Sequence, residues 1–202
     1  ADSFSNSENN GAHKKGYYLS IGAGVNAYND IDWEDTIAGT KYTGDVGIKD
    51  AYSAELGVGY EFGNNTRAEI SYVRGGGEVG DTNISGGSTF TVDGDVVTNS
   101  VMVTGYLDFP LGNSDITPYI GAGVGATFID ADEVTVAGVN LGEGDETVIG
   151  YQIKIGGTYN LNLTTDLYAE AIYTGNDEVD LAGVEYDPVS ALGGRLGVRF
   201  RF

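Results

Sequence analysis

Hydrophobic and polar residues alternate in eight separate segments of the chain. In the first segment, Tyr17 to Tyr28, the odd positions are Tyr, Leu, Ile, Ala, Val and Ala, while glycine and polar residues hold most even positions. A two-residue period is typical of a β-strand with one apolar face. The same period returns in seven further segments: 52–62, 66–73, 97–109, 118–128, 149–159, 167–173 and 192–202. An even number of strands lets a sheet close into a barrel without free edges.

The connections between these segments alternate between short and long. The short ones are residues 63–65, 110–115 and 160–163. The long ones are about 29–51, 74–96, 129–147 and 174–190. In an antiparallel barrel this order puts every long connection at one end, as in outer-membrane barrels with short periplasmic turns and long extracellular loops. The predicted fold is therefore all-β: an eight-stranded antiparallel up-and-down transmembrane β-barrel with both termini in the periplasm.

The barrel domain is predicted to span residues 16–202, after a polar N-terminal extension at 1–15. The extension begins Ala-Asp-Ser and has neither a charged start nor an apolar stretch, so it looks like the mature end left by signal-peptide cleavage. No apolar run approaches the length of about 18 residues that a transmembrane helix needs. A transmembrane β-strand needs only about 9–11 residues and hides its apolar character in alternation.

The apolar face of the strands carries aromatic residues at both ends and mainly Leu, Ile, Val and Ala between them. Toward the long connections these aromatic residues are Tyr52, Tyr72, Phe128, Tyr151 and Tyr173. Toward the short connections they are Tyr17, Tyr60, Phe62, Phe109, Tyr159, Phe200 and Phe202. Two aromatic girdles around an aliphatic belt are typical of the two interfaces of a membrane. The alternative is a soluble lipocalin-like barrel, but the opposite face carries Glu, Lys and Arg, which would line a lipophilic pocket poorly.

The composition excludes several classes of function. The 202 residues include 30 Asp or Glu against 10 Lys or Arg, a formal net charge of −20, which repels the phosphates of nucleic acids. There is no Cys, and the single His, His13, lies before the first segment. A thiol site, a His-rich metal site and a Ser–His–Asp triad are therefore not expected. We predict that the protein is not an enzyme and binds neither a cofactor nor nucleic acid.

Eight strands enclose a lumen that side chains can fill. The polar face carries five acids and five bases: Glu55, Glu61, Glu69, Asp108 and Glu170, and Arg67, Lys154, Arg195, Arg199 and Arg201. Equal numbers are expected when buried charges pair, because an unpaired buried charge is costly. We predict an ion-pair network that plugs the lumen, and a narrow polar path is the alternative. The directly opposed pairs that hairpin geometry predicts are Glu61 with Arg67 for a turn centred on Asn64, and Lys154 with Glu170 for a turn centred on Asn162.

Most of the negative charge lies in the long connections. They hold 21 of the 30 acidic residues and three bases, Lys41, Lys49 and Arg74, which leaves −18 of the total charge there. A solvated acidic surface is the simplest interpretation. The alternative is binding of divalent cations, which also bridge lipopolysaccharide phosphates. An EF-hand is not expected, because the sixth place counted from Asp30 is Asp35, where such a loop needs Gly.

Two stretches of the sequence resemble outer-membrane proteins. Residues 117–125, Thr-Pro-Tyr-Ile-Gly-Ala-Gly-Val-Gly, resemble the fifth-strand motif of opacity-type small outer-membrane proteins. Residues 195–202, Arg-Leu-Gly-Val-Arg-Phe-Arg-Phe, resemble the signal that closes outer-membrane barrels. The resemblance, to opacity-type and outer membrane protein A-like eight-stranded barrels of the porin family, covers about residues 16–202.

This resemblance implies a bacterial outer-membrane location, in contact with outer-membrane lipid and lipopolysaccharide. It implies that the barrel-assembly machinery reads Gly197, Phe200 and Phe202. It also implies a structural or surface-interaction role, such as that of an adhesin or a surface antigen. A narrow porin-like channel for small solutes or ions is the alternative, and nothing in the sequence specifies the extracellular partner.

Overall fold

The computed structural model describes residues 15–28, 31–37, 40–84, 88–90, 92–112, 114–136, 139–140, 144–176, 179–181, 184–186 and 190–202. These residues form β-strands joined by short turns, and none of them lies in a helix. The described chain accordingly has no helix of the length and apolarity that crossing a bilayer requires. The predicted N-terminal extension lies outside the described residues, apart from Lys15.

Eight long strands form a closed antiparallel barrel. They are β1 (Gly16–Tyr28), β3 (Thr40–Glu61), β4 (Thr66–Ile84), β6 (Val92–Asp108), β7 (Ile116–Val136), β9 (Gly144–Asn160), β10 (Thr165–Asn176) and β13 (Ser190–Arg201). Five short strands lie in the long connections: β2 (Ile31–Ile37), β5 (Ser88–Phe90), β8 (Val139–Asn140), β11 (Val179–Leu181) and β12 (Val184–Tyr186). Each barrel strand pairs with the next along the chain, and β13 pairs with β1. The predicted fold is confirmed, and each alternating segment lies in one barrel strand to within a residue at its end.

The three short connections lie at one end of the barrel, together with the first and last residues of the barrel domain. We call this end the turn end. In the first short connection, Gly63 and Asn65 adopt positive φ values of 77° and 63°. Gly and Asn tolerate this left-handed conformation better than other residues, so the tight turn suits this sequence. At the seam of the barrel, the Phe202 N–H donates to the Tyr17 carbonyl oxygen at 3.1 Å.

The opposite end, which we call the hairpin end, differs from the sequence prediction. Long loops are expected there, but β3, β4, β6, β7 and β9 continue into these regions and are 17 to 22 residues long. The ladder between β6 and β7, for example, runs on to the pair Val92 and Val136. Charged residues and glycines interrupt the apolar pattern in these regions, although Tyr42, Val46 and Ile48 of β3 continue it. Strand length was therefore underestimated from side-chain pattern alone.

Side chains of the barrel strands alternate between the lumen and the outer surface, with the polar ones inside. On the outer face, Ile21, Val103 and Ile155 are 53%, 54% and 61% exposed. In the lumen, Tyr18 and Lys154 have no exposed surface. A soluble barrel would show the reverse arrangement, so a belt of exposed aliphatic side chains around a polar interior indicates a transmembrane barrel.

Both predicted aromatic girdles lie on the outer face. At the turn end, Tyr60 makes edge contacts with Tyr17 and Phe62, with ring centroids 4.8 and 5.2 Å apart. At the hairpin end, the ring centroids of Tyr151 and Tyr173 are 6.3 Å apart. Amphipathic rings prefer the headgroup level, so the two girdles fix the position of the barrel across the bilayer.

Glycines on the inner face make room for the large side chains of the lumen. A Cβ atom on Gly156 would lie 2.8 Å from Tyr119 Cζ, and one on Gly121 would lie 2.6 Å from Tyr106 Cδ1. Both distances are too short for real atoms, so these rings occupy space that only glycine leaves free. Small residues beside large ones are how a narrow barrel is filled.

Candidate functional site

Four charged side chains meet in the middle of the lumen, and we call them the central quartet: Glu55 on β3, Lys154 on β9, Glu170 on β10 and Arg195 on β13. Lys154 Nζ lies 2.8 Å from Glu55 Oε2 and 3.5 Å from Glu170 Oε1. Arg195 Nη1 lies 2.8 Å from Glu55 Oε2 and 3.2 Å from Glu170 Oε1. Each acid thus contacts both bases, and the quartet is neutral.

The contact between Lys154 and Glu55 spans the barrel. Going around the sheet, β9 is four strands from β3 in either direction, so the two strands face each other across the full diameter. Lys154 Nζ nevertheless donates to both Glu55 carboxylate oxygens, at 3.0 and 2.8 Å. Side chains from opposite walls therefore meet at this level.

Tyrosine hydroxyls extend the quartet toward its neighbours. Tyr119 OH donates to Glu170 Oε2 at 2.7 Å, and Lys154 Nζ donates to Tyr106 OH at 3.2 Å. Tyr106 OH in turn donates to Glu69 Oε1 at 3.0 Å. These bonds satisfy polar groups that would otherwise be buried at a cost.

Glu69 is held by hydroxyl groups. Besides the bond from Tyr106, its Oε2 atom accepts a hydrogen bond from Ser20 Oγ at 2.9 Å. No ion pair to Glu69 forms among the residues that the structure describes. The sequence prediction puts Glu69 in an ion-pair network, whereas the structure connects it to that network only through neutral hydroxyls.

Arg67 fills the lumen between the quartet and the turn end. Its Nε atom lies 3.2 Å from both carboxylate oxygens of Asp108. Its guanidinium carbon lies 3.7 Å from the centre of the Tyr106 ring and 4.6 Å from that of Tyr119. A guanidinium stacked on aromatic rings is stabilised by the ring quadrupole as well as by its carboxylate.

A second charged cluster lies at the turn end and consists of Glu61, Asp166, Arg199 and Arg201. Asp166 is not among the residues predicted from the sequence. Arg201 donates to Glu61 Oε1 at 3.0 Å and to Asp166 Oδ1 at 2.7 Å. Arg199 lies 3.9 Å from Asp166 and 4.9 Å from the centre of the Tyr18 ring. Asp166 is fully buried, so among the side chains that the structure describes the lumen holds six acids against five bases and not the balanced set that the sequence predicts.

One of the two predicted pairs does not form, although its residues lie opposite each other as predicted. Glu61 and Arg67 are directly opposed, as a turn centred on Asn64 requires, but Glu61 pairs with Arg201 and Arg67 with Asp108. Arg67 thus pairs diagonally with the next strand, β6, and Glu61 pairs with β13, which lies on the other side of β1.

The other predicted register is wrong by two residues. Glu170 lies opposite Gly156, because the turn between β9 and β10 is centred one residue later than expected. Asn162 Oδ1 accepts bonds from the Thr164 N–H at 2.9 Å and the Thr164 hydroxyl at 3.0 Å, which fixes this turn. Lys154 still contacts Glu170, because its side chain is long enough to cover the offset.

Uncharged residues line the lumen between the quartet and the hairpin end. Gln152 Nε2 donates to Thr104 Oγ1 at 2.7 Å, and Ser100 and Thr127 share a hydrogen bond of 2.9 Å. Met102 is buried at this level. The described lumen charges are thus confined to the part of the barrel nearer the turn end.

Phe200 and Phe202, predicted to be read by the barrel-assembly machinery, lie on the outer face at the turn end and are 42% and 79% exposed. Gly197 has a local reason for lacking a side chain, because the Tyr168 ring occupies the space that its Cβ atom would need. Recognition of these residues stays a prediction.

Strand register at the hairpin end places acidic residues opposite one another. The directly opposed pairs are Asp32 with Asp45, Glu34 with Glu185, Asp180 with Glu185, Glu78 with Asp95, Asp95 with Asp132 and Asp130 with Asp145. Like charges in such positions destabilise a sheet unless something screens them. Among the residues that the structure describes, no cluster of three or more His, Cys, Asp or Glu side chains is suited to holding a metal ion.

A closed eight-stranded barrel with a lipid-facing aliphatic belt, two aromatic girdles and a charged interior is a bacterial outer-membrane β-barrel. Within that class, the chain belongs to the surface antigen family, whose model matches residues 79–193. It is 28% identical over 158 residues to major surface antigen 4 of Anaplasma marginale. The matched region covers 68% of this chain and 52% of that relative, so the chain spans about half the length of the curated relative it matches.

Solved structures of outer-membrane barrels share the fold. Neisserial surface protein A has a TM-score of 0.60 at 20% identity, over 92% of this chain and 97% of that one. The outer membrane protein OprG of Pseudomonas aeruginosa has a TM-score of 0.53 at 17% identity, over 95% and 98% of the two chains. The outer membrane protease OmpT of Escherichia coli has a TM-score of 0.57 at 8% identity, over 93% and 97%. At these identities the likeness concerns the fold and no particular activity.

Proposed function

We propose that this protein is a structural or surface-interaction component of the outer membrane whose lumen is closed by its own side chains. The observation that carries the closed lumen is the ion pair between Lys154 and Glu55, which joins opposite walls of the barrel at 2.8 Å. Membership of a surface antigen family supports a role at the cell surface, as an adhesin or an antigen. The role is a non-enzymatic one and uses no cofactor.

The closed state is stabilised because each charge in the quartet has two partners. Removing one member of a buried ion pair typically costs about 3–5 kcal/mol, since the other charge is left uncompensated. Opening a path through the barrel would separate Lys154 and Arg195 from both acids. The Arg67 guanidinium, stacked on Tyr106, would still obstruct the lumen nearer the turn end.

The proposed orientation puts the hairpin end outside the cell and the turn end in the periplasm. It rests on the contrast between three short turns at one end and strands of up to 22 residues that extend beyond the girdle at the other. Outer-membrane barrels carry short turns on the periplasmic side and longer connections outside. The acidic hairpin end would then be the part that meets extracellular partners, with divalent cations and lipopolysaccharide as candidates.

A narrow channel is the second candidate function. The lumen between the quartet and the hairpin end supports it, because small or uncharged polar residues such as Ser100, Thr104 and Gln152 line that part. Only the charged part of the lumen would then have to open for small solutes or ions to pass.

Planar-bilayer recording of the refolded protein separates the two candidates. The closed barrel should show no discrete conductance steps, and Lys154→Ala should produce them or raise the leak. Ile155→Ala, the matched control, changes the neighbouring residue that faces lipid and should behave like the original protein. Steady conductance steps in the unmodified protein would favour the channel.

Single cysteines test the orientation, because the chain has no Cys of its own. Ser88→Cys in β5 at the hairpin end and Ser114→Cys in a short turn are matched changes. On intact cells, a membrane-impermeant maleimide should label position 88 and reach position 114 only after permeabilisation. The opposite pattern would reverse the proposed orientation.

A further inference from the structure

One basic side chain interrupts the apolar and aromatic outer face of the barrel. Arg74 on β4 points outward and is exposed. The other bases of the barrel strands whose side chains are described lie in the lumen: Arg67, Lys154, Arg195, Arg199 and Arg201. The lumen network does not use Arg74, and its position on a lipid-facing surface therefore points to a different role.

Asn99 contacts Arg74 directly, and Tyr72 holds Asn99. Arg74 Nη1 donates to Asn99 Oδ1 at 3.3 Å, and Tyr72 OH donates to the same oxygen at 2.6 Å. Arg74 and Asn99 are directly opposed on β4 and β6. A guanidinium carries five N–H donors, so the bond to Asn99 leaves donors for a further acceptor.

The surroundings put this group at the level of a lipid headgroup. Tyr72, two residues before Arg74 on the same face, belongs to the hairpin-end girdle and is 46% exposed. Asn99 lies opposite Phe128, another member of that girdle. Aromatic girdles mark the boundary between the hydrocarbon and the headgroups, where phosphate groups lie.

We propose that Arg74, positioned by Asn99 and Tyr72, binds the phosphate of an anionic lipid headgroup in the leaflet next to the hairpin end. A planar guanidinium is complementary to a phosphate in charge and in geometry, and it can donate two parallel hydrogen bonds to it. That this leaflet is the outer one rests on the proposed orientation, whereas the phosphate contact itself does not.

The negative charge of the long connections gives a physical reason for this contact. Apart from Arg74, the long connections carry 21 acidic residues against Lys41 and Lys49, a net charge of −19, which repels anionic lipids from the hairpin end. One cation at the headgroup level opposes that repulsion locally. A Lys or Arg near an anionic surface raises lipid affinity about fivefold, which is the preference expected for an anionic over a zwitterionic lipid at this position.

The contact can be measured directly by solid-state NMR. The refolded full chain, with arginine ¹³C-labelled, is placed in bilayers of phosphatidylcholine and phosphatidylglycerol without inorganic phosphate. We expect dipolar coupling between an arginine Cζ and lipid ³¹P that disappears in Arg74→Gln and persists in the control Lys15→Gln. No coupling in the original protein, or coupling that survives Arg74→Gln, would overturn the proposal.

Two further measurements distinguish a headgroup site from a general phosphate site and from unselective lipid contact. In maltoside micelles with added inorganic phosphate, no arginine coupling is expected, and coupling there would show a general phosphate site in place of a headgroup site. In native mass spectrometry from the same bilayers, the ratio of bound phosphatidylglycerol to phosphatidylcholine should fall about fivefold in Arg74→Gln. An unchanged ratio in a variant with normal unheated gel migration would also overturn the proposal.

Discussion

Glu170→Ala should destabilise the barrel strongly, because Glu170 has three partners in the lumen. Its Oε1 atom lies 3.2 Å from Arg195 Nη1 and 3.5 Å from Lys154 Nζ, and its Oε2 atom accepts a bond from Tyr119 OH at 2.7 Å. Without it, Lys154 and Arg195 share the single carboxylate of Glu55, and the quartet carries one uncompensated positive charge.

The expected loss in the free energy of unfolding is about 3–5 kcal/mol, the usual cost of leaving a buried charge without its partner. With a urea slope of about 2 kcal/mol per molar, the unfolding midpoint should fall by about 2 M. The assay is urea unfolding in lipid vesicles, followed by circular dichroism and by the migration of unheated protein on gels.

A double variant separates charge from packing. Lys154→Ala combined with Glu170→Ala leaves Glu55 and Arg195 as a balanced pair at 2.8 Å. The double variant should therefore cost less than the sum of the two single ones, by a coupling of about 0.5–3 kcal/mol. An unchanged midpoint in Glu170→Ala, or additivity to within about 0.3–0.5 kcal/mol, would refute the reasoning.

Three further outcomes are expected. Unheated protein should migrate differently from boiled protein on a gel and show β-type circular dichroism, and identical migration would speak against a closed barrel. Gly156→Ala should cost about 1–3 kcal/mol by crowding Tyr119, whereas Gly105→Ala on the outer face, with nothing within 4 Å, should stay within about 0.5 kcal/mol. Millimolar Ca²⁺ should slow proteolysis at the hairpin end more than NaCl of equal ionic strength, and equal rates would leave only a solvated acidic surface.

The alternating pattern predicted the barrel because lipid outside and a polar lumen inside impose opposite chemistry on successive residues. Tyr18 and Ile21 illustrate this, one fully buried and the other 53% exposed. The pattern is weaker where charged residues and glycines interrupt it. The extension of β3 back to Thr40 was missed although Tyr42, Val46 and Ile48 continue the alternation there.

The same alternation predicted which residues face the lumen, but not which of them pair with each other. Counting two residues back from inward Tyr168 would have found Asp166, which lies just before the predicted segment. Strand alternation alone does not pair Glu61 with Arg201, because β3 and β13 meet only through β1, where the barrel closes. The two-residue error in the predicted register of β9 and β10 did not change which residues face the lumen, because side chains alternate with a period of two.

The ion pair across the barrel is the contact on which a closed lumen depends, and its two nitrogen–oxygen distances of 3.0 and 2.8 Å can be tested in a bilayer. Solid-state NMR of the refolded protein, with ¹⁵N in lysine side chains and ¹³C in glutamate carboxylates, measures the coupling between Lys154 Nζ and Glu55 Cδ. A closed lumen predicts strong coupling for one lysine, lost in Lys154→Met and reduced in Glu55→Gln to the weaker coupling of the 3.5 Å contact with Glu170. A lysine signal without carboxylate coupling, or coupling that survives Glu55→Gln at full strength, would contradict a lumen closed by this pair.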